Sequence, residues 1–290
     1  MRPQHLKDML LCRESGSHFL TALTAVVNMT LAGHCPADAA PTFFGGRLMA
    51  LNKKSGGICP IAVGFTLRRL VSKCANTHAA AYLATYFKPI QLGVKVPGGC
   101  EAAVHSARRF LESMPPDNIL VKLDFSNAFN SLHRFDMLQC VADRIPQLFT
   151  YCYSAYSAAS VLFYGQYHIL SQEGPQQGDP LGPLLFCNTI HPLLASLSSV
   201  LKLGYMDDVT LGGPQETVAK DIKLIMNASQ DIGLNLNTAK CELVCNSGCQ
   251  ITDPFFQVYV KCRRQRLNFS VRRCFLVQLW TWRGQRGVTS

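Results

Sequence analysis

Residues 118–125, NILVKLDF, and residues 203–213, LGYMDDVTLGG, decide the fold of this chain. The first run has no polar alternation except Lys122, which is typical of a strand covered on both faces, and its far end carries Asp124. The second run predicts two short strands joined by a tight turn, with Asp207 and Asp208 as the turn residues. Carboxylates therefore end two strands that lie far apart in the sequence.

These carboxylates indicate a chemistry if the strands are neighbours in one sheet. Asp124, Asp207 and Asp208 would then gather at one place and repel one another unless a cation lies between them. Mg²⁺ suits such a site, because it takes one or two carboxylates together with substrate phosphate oxygens, and a pair of ions can stabilise both oxygens of a phosphoryl transfer. The arrangement favours polymerase-type chemistry, although an Asp-Asp pair alone is more often a solvated turn.

The flanking segments predict an alternation of helices and strands. Helices are expected over residues 17–33, 67–87, 97–114, 127–142 and 216–232, with a long apolar helix from Leu181. A basic hairpin is expected from strands at 47–51 and 58–63 around a turn at 53–57, and the last acidic strand is expected to stop at Gly212-Gly213-Pro214. Pro115-Pro116 is the clearest internal boundary.

The composition of the 290-residue chain indicates a globular protein of about two domains. An apolar fraction of 48% with only 16% charged residues argues against disorder, because burial of apolar surface offsets the ordering entropy. The net charge of +10 favours a polyanionic partner such as nucleic acid. Most of this charge lies in residues 251–290, which contain eight Lys or Arg residues and one Asp.

The longest apolar stretch, residues 181–201, raises the question of a membrane span. Asn188, His191 and Pro192 interrupt it near its centre, where a bilayer-spanning helix rarely places polar residues. A buried core helix is therefore favoured, and no membrane partner is expected.

The cysteines predict a reducing environment. The chain has 13 of them, an odd number without any CxxC pair, and its start, MRPQHLKDML, lacks the apolar region of a secretory signal. We expect a soluble intracellular protein, with nucleus and cytoplasm not distinguished. A zinc site is an alternative for Cys241, Cys245, Cys249 and Cys262, but their spacing does not match structural zinc sites, so free thiols are favoured.

Several short motifs occur in an order that resembles reverse transcriptases. KKSGG at 53–57 is similar to the fingers hairpin, and the palm motifs are matched, in order, by LDFSNAF (123–129), QQGDP (176–180), YMDD (205–208) and GLNLNTAKCEL (233–243). Three longer segments most resemble the enzymes of non-LTR (LINE-like) retrotransposons in sequence: GGRLMALNKKSGG, LDFSNAFNSLHR and QQGDPLGPLLF. The resemblance covers about residues 40–245.

The resemblance implies an α+β fold, a right-hand polymerase fragment with a ferredoxin-like βαββαβ palm and fingers built from helices and a β-hairpin. The thumb is not recognisable after Val244. The segments expected are an N-terminal helical part (1–39), fingers (40–115 and 132–171), palm (116–131 and 172–245) and a basic tail without family likeness (246–290).

The resemblance also assigns the catalytic groups. Asp124 and Asp207, with the Phe125 carbonyl, would hold two Mg²⁺ ions, with Mn²⁺ as a possible substitute, and Asp208 would support them. Lys240 would protonate the leaving pyrophosphate, although a lysine in a turn is equally well explained as a solvated surface residue. The reaction implied is RNA-directed addition of deoxynucleoside triphosphates to a DNA primer on an RNA template.

Further residues would contact the substrates. Phe129 would exclude ribonucleotides through its ring, the alternative being a core phenylalanine. The other assignments are Gln177 and Gly178 to nucleotide and template, Tyr205 and Met206 to the primer end, Lys53 or Lys54 to the triphosphate, and Arg68 and Arg69 to the template path or to packing on the palm.

Two departures from the family pattern favour an alternative function. Cys59 stands where relatives have an arginine that helps to hold the triphosphate, and a thiol cannot replace its bidentate contact. The unrecognised thumb is the second departure. A catalytically decayed remnant that only binds nucleic acid is therefore the alternative, and the sequence defines neither the natural template nor the oligomeric state.

Overall fold

The computed structural model describes residues 2–52, 56–246, 249–259 and 261–264, with side chains described up to Phe256. The chain divides into two compact units. Unit 1 consists of Met1–Leu83 and Phe129–Thr189, and unit 2 consists of Ala84–Ala128 and Ile190–Ser290.

Helices and strands alternate along the chain. In chain order the helices are α1 (Pro3–Leu10), α2 (Gly16–Leu31), α3 (Ala40–Phe43), α4 (Thr66–Phe87), α5 (Gly99–Glu112), α6 (Ala128–Ser131), α7 (Arg134–Arg144), α8 (Phe149–Tyr156), α9 (Gly182–Ser196), α10 (Gln215–Asp231) and α11 (Pro254–Tyr259), with a 3-10 turn at Pro146–Leu148. The strands are β1 (Gly46–Asn52), β2 (Ile58–Gly64), β3 (Asn118–Leu123), β4 (Ser160–Tyr164), β5 (Tyr167–Ser171), β6 (Leu201–Tyr205), β7 (Asp208–Pro214), β8 (Glu242–Cys245) and β9 (Lys261–Arg264).

Unit 1 contains a four-stranded sheet in the order β2-β1-β4-β5. The β1 and β2 strands form the predicted antiparallel hairpin, in which Arg47 pairs with Val63. The β4 strand joins parallel to β1, and β5 returns antiparallel to β4. Lys53 and Lys54, which were expected at the hairpin turn, lie outside the described residues.

A buried charged network supports unit 1. The guanidinium of Arg68 lies 2.9 Å from Asp179 Oδ2, and the two side chains are 2% and 1% exposed. Arg68 also donates hydrogen bonds to the Phe44 carbonyl oxygen and to Gln176 Oε1. The Tyr156 hydroxyl donates to the same Asp179 oxygen at 2.6 Å, and burial, together with Asp179, keeps the pKa of this phenol well above its usual value. These bonds fix the loop 174–179 to the sheet and helices of unit 1.

Unit 2 contains a five-stranded sheet in the order β6-β7-β3-β8-β9. Antiparallel pairs join the first four of these strands, and the chain order β3-α9-β6-β7-α10-β8 gives the predicted ferredoxin-like βαββαβ connectivity. Helix α5 packs on this sheet, because Ala107 and Leu111 share a buried cluster with Leu120 and Leu203. The sequence assigned α5 to the fingers segment, whereas the structure places it in unit 2.

One predicted helix is interrupted at a contact with a distant residue, whereas the last acidic strand ends where it was expected to end. The helix predicted over 127–142 is broken into α6 and α7, since the Leu132 carbonyl accepts the amide of Gly174 instead of continuing a helix. The strand expected to stop at Gly212-Gly213-Pro214 is β7, which ends at Pro214 and stays paired with β3 up to that residue. A Cβ atom at Gly212 would lie 2.7 Å from the Phe110 ring, so the glycine lets α5 approach the sheet.

Helix α9 is the predicted buried core helix, with Leu184, Leu185, Phe186 and Ile190 fully buried. In the part of the chain that the structure describes, no helix combines the length and apolarity needed to cross a membrane.

The buried network predicts that the D179N substitution destabilises the protein strongly. The amide leaves the Arg68 guanidinium buried without a counter-charge, which costs about 3–5 kcal/mol in the free energy of unfolding. The measurement is urea unfolding followed by circular dichroism. A matched control is K220Q, which breaks the solvent-exposed pair of Lys220 and Glu216 and should leave the unfolding midpoint unchanged. Equal midpoints for D179N and wild type would contradict this account.

Candidate active site

The hairpin of β6 and β7 carries the acidic motif. Tyr205 pairs with Asp208, so Met206 and Asp207 form the two-residue turn and Asp208 is the first residue of β7. The expectation that Asp207 and Asp208 are the two turn residues is therefore wrong by one position. Met206 has a φ of 58°, a left-handed conformation that is unusual for a bulky side chain and is usually taken by glycine or asparagine in such turns.

The pairing of β3 with β7 brings the third carboxylate to this hairpin. Leu123 pairs with Val209, and the antiparallel register places Asp124 at the next position, beside Asp208. The three acids expected to act together therefore lie at the same end of the unit 2 sheet. Asp124 and Asp208 are 32% and 45% exposed, which leaves their oxygens accessible from solvent.

Crowding of these acids changes the acidity of Asp207. Burial of this half-buried carboxyl, together with the charges of Asp208 and Asp124, raises the pKa of Asp207 to about 6. A backbone hydrogen bond and the ammonium of Lys122 act in the opposite direction and are outweighed. The ionised form of Asp207 is therefore disfavoured in the metal-free chain, and a cation bound beside it would remove this penalty.

Two lysines border the carboxylates. Lys122 Nζ lies 3.2 Å from Asp208 Oδ1, and Lys240 Nζ lies 4.0 Å from Asp124 Oδ1. Lys240 is 64% exposed, and its segment is held because the Asn237 amide donates to the Asp124 carbonyl oxygen at 2.7 Å. Sequence reasoning missed Lys122 as a site residue. Lys122 could have been predicted, because it precedes Asp124 by two positions and residues i and i+2 of a strand lie on the same face.

The donor set fits a hard divalent cation held partly by substrate. In the described ranges, no group of three or more His, Cys, Asp or Glu side chains forms a ready-made metal cage. Mg²⁺ does not need one, because it commonly binds one or two carboxylates and takes its other ligands from water and phosphate. Asp124 and Asp207 would be those carboxylates. Phe125, whose carbonyl is the third expected ligand, is fixed by a bridge to Leu236.

The QQGDP motif (176–180), with the predicted site residues Gln177 and Gly178, belongs to unit 1. The Gln177 carbonyl accepts the amide of Ala62 at 2.7 Å, and its side-chain amide donates weakly to Cys59 Sγ at 3.5 Å. A Cβ atom at Gly178 would collide with the Ala62 carbonyl oxygen, so only glycine permits this approach of the loop to β2. Gln177 and Gly178 are thus brought together with Cys59, the position at which the family pattern departs.

The other residues predicted to contact the substrates differ from one another in burial and in their partners. The Phe129 ring stacks on Phe186 at a centroid distance of 4.8 Å and stays half-buried, which is compatible with both of its expected roles. The network around Arg68 leaves that guanidinium no surface for a template, so the expected contact with primer or template is wrong for Arg68. The alternative expectation for Arg68 was packing on the palm, and the structure shows it buried within unit 1 against Phe44, Gln176 and Asp179. Arg69, Tyr205 and Met206 are half-buried.

Comparison with known families identifies the class of protein to which this fold and site belong. The family described as reverse transcriptase (RNA-dependent DNA polymerase) matches residues 51–273, which is more than half of the chain. The chain therefore belongs to the reverse transcriptase family, a family of nucleotidyltransferases. The family expected from the ordered motifs is confirmed, and the match extends beyond residue 245, where the resemblance by motif ended.

A more particular similarity is to a mobile-element protein. The chain is 27% identical over 232 residues to the retrotransposable element SLACS 132 kDa protein of Trypanosoma brucei gambiense, a match that covers 76% of this chain and 19% of that protein. The chain thus spans about a fifth of the length of this relative.

Solved structures with a similar fold include telomerases. The Candida tropicalis telomerase in complex with a TWJ fragment of telomeric RNA has a TM-score of 0.54 at 13% identity, covering 83% of this chain and 49% of that one. The corresponding Candida albicans complex has a TM-score of 0.55 at 11% identity, covering 76% and 46%. At these identities the likeness concerns the fold alone, and it confirms the expected polymerase fold.

The raised pKa of Asp207 predicts a pH-dependent effect of D207N on stability without metal. A carboxyl whose pKa is higher in the folded than in the unfolded chain destabilises the folded state once the pH exceeds its pKa in the unfolded chain. This destabilisation is complete above about pH 6. In EDTA, D207N should therefore melt higher than wild type at pH 7.5, and the gap should shrink as pH falls towards 4. D231N, which changes an exposed acid of unit 2, should show no such narrowing. A gap that is constant with pH would contradict the assignment.

Proposed function

We propose that this chain is the polymerase core of a non-LTR retrotransposon reverse transcriptase, adding deoxynucleotides to a primer 3′-hydroxyl on an RNA template. The observation that carries the proposal is the gathering of Asp124, Asp207 and Asp208 at one end of the βαββαβ sheet, in a chain of the reverse transcriptase family. The similarity to a retrotransposable element protein supports the mobile-element origin.

The chain's own residues supply the framework for two-metal phosphoryl transfer. Asp124 and Asp207, with the Phe125 carbonyl, would hold Mg²⁺ or Mn²⁺. When bound, the ions would lower the pKa of the primer hydroxyl and neutralise charge on the phosphates. The ion pair with Lys122 orients Asp208 and reduces repulsion within the acidic group. Lys240, exposed and close to Asp124, offers a proton to the leaving pyrophosphate.

By family resemblance, three residues of unit 1 are assigned to binding and selection of the nucleotide. Gln177 and Gly178 would contact the nucleotide and template, and the buried network of Arg68 and Asp179 keeps their loop in place. Phe129 would exclude a ribose 2′-hydroxyl through the ring face not covered by Phe186. Lys53 and Lys54 remain assigned to the triphosphate by family resemblance.

The test of polymerase activity is single-nucleotide incorporation on a labelled primer annealed to RNA, with Mg²⁺. We expect incorporation by the wild-type chain and its loss in D207N, because the asparagine removes a metal-binding charge. D231N is the matched control and should keep wild-type activity. The same assay with ribonucleotides tests Phe129, since F129V should then accept them. Incorporation that survives in D207N, or no incorporation by a folded wild-type chain, would refute the proposed reaction.

A second candidate function is nucleic-acid binding without chemistry, and Cys59 is the observation that favours it. This half-buried thiol interacts with Gln177 through a weak hydrogen bond and offers no charge to a triphosphate. Retention of RNA at moderate salt without incorporation would support this function, with affinity falling steeply as salt rises.

The C59R substitution discriminates between the two functions. A guanidinium at this position restores a charge-assisted donor to the phosphates, and we expect incorporation to rise on the order of 10²-fold. The measurement is the single-turnover rate at saturating nucleotide. C59K is the matched control, with a point charge that lacks the bidentate geometry, and it should give a smaller gain. An unchanged rate in C59R would show that the missing arginine is not what limits the reaction.

A further inference from the structure

We propose that Gln91 is a positioning residue for the acidic hairpin: its side-chain amide holds the Met206 peptide groups and thereby fixes Asp207. Its effect on catalysis rests on the proposed polymerase function, whereas its effect on the hairpin does not.

Gln91 reaches the hairpin from an extended segment that lies along the edge of the unit 2 sheet. The Ile90 carbonyl accepts the Gly204 amide at 2.8 Å, and the Leu92 amide donates to the Gly204 carbonyl at 2.7 Å. These bonds make Gln91 and Gly204 a parallel bridge on the open side of β6. The backbone of Gln91 is thus held beside Gly204, which precedes the turn residue Met206 by two positions. Gln91 is 0% exposed.

The amide of Gln91 pairs with both backbone groups of Met206. Its Oε1 accepts the Met206 amide at 2.9 Å, and its Nε2 donates to the Met206 carbonyl at 3.3 Å. The Gly93 amide donates to the same Oε1 at 3.1 Å. Two N–H donors on one oxygen settle the orientation of the amide, because the flipped amide would place its own N–H groups against them.

The turn needs such a partner because Met206 has a left-handed backbone. A bulky residue keeps that conformation only where its surroundings enforce it. Met206 precedes Asp207, so a rotation of the Met206 peptide would swing the Asp207 carboxylate away from Asp124 and Asp208. Gln91 is therefore the link between a buried segment and the geometry of the acids.

Two glycines leave the space that this contact requires. A Cβ atom at Gly204 would lie 2.9 Å from Gln91 Nε2 and 3.0 Å from Leu194 Cδ1. A Cβ atom at Gly93 would lie 2.7 Å from the Met206 amide nitrogen. Gly204 and Gly93 therefore leave room for the Gln91 side-chain amide to contact the Met206 backbone, and a side chain at either position would crowd this contact.

The first test needs no catalysis. In Q91M the side chain keeps its length but loses both hydrogen-bonding groups, and we expect the Met206 amide to exchange with deuterium at least about tenfold faster in the metal-free protein. D221N is the matched control, because the buried Asp221 carboxylate accepts the Ser198 and Ser199 amides before β6, at the end away from the turn. D221N should leave exchange at Met206 unchanged.

The second test is kinetic and separates positioning from stability. Q91M should lower the single-turnover incorporation rate about 10- to 100-fold, as expected for carboxylates displaced by about an ångström, and raise the Mg²⁺ concentration for half-maximal rate. The dissociation constant for primer-template should stay unchanged. G204A, which displaces the Gln91 amide without removing it, should give the same changes and should not add to those of Q91M.

Each outcome decides the proposal. Unchanged Met206 exchange in both Q91M and G204A, or an equal rate loss in D221N, would overturn it. Should Q91M fail to fold, G204A carries the same tests. A wild-type chain without incorporation whose Met206 amide still responds to Q91M would refute the polymerase proposal and support the positioning of the hairpin.

Discussion

The antiparallel pairing of β3 with β7 is the contact on which the candidate active site depends. Its register places Asp124 beside Asp208, and the β6–β7 hairpin adds Asp207 to the same end of the sheet. The repulsion between these acids contributes to the raised pKa of Asp207. The same repulsion makes the site suitable for divalent cations, because bound positive charge removes it. Repulsion between the acids therefore adds to the effect of burial on Asp207 and also favours the proposed metal-dependent chemistry.

In each unit, buried polar side chains bind a turn or loop that carries predicted site residues, in addition to the strand pairing beside it. Gln91 binds the backbone of the acidic turn in unit 2. In unit 1, Arg68 and Asp179 bind one another and fix the loop that carries Gln177. Turns and loops expose amide and carbonyl groups that a sheet ladder does not satisfy, and burial makes an unpaired group costly. Side-chain networks that pair most of these groups reduce that cost and favour a single loop conformation.

Much of the fold could be predicted because its signals are local. The helix expected over 216–232 is α10 (Gln215–Asp231), and the hairpin expected from 47–51 and 58–63 is β1 and β2, each within one residue at most ends. Amphipathic spacing and turn residues are properties of neighbouring positions, so they survive folding. The helix expected over 127–142 is wrong where a distant group takes part, because it is interrupted at Leu132, whose carbonyl accepts the Gly174 amide.

The sequence by itself determined the order of the motifs, the acids that carry the proposed chemistry and the departure at Cys59. Only the tertiary structure decided which partners these residues have. It paired Lys122 with Asp208, buried Arg68 against Asp179 and placed Gln91 on the Met206 turn. The physical reason is that side-chain contacts depend on strand register and packing between segments distant in the chain, whereas periodicity records only which face of its own element a residue occupies.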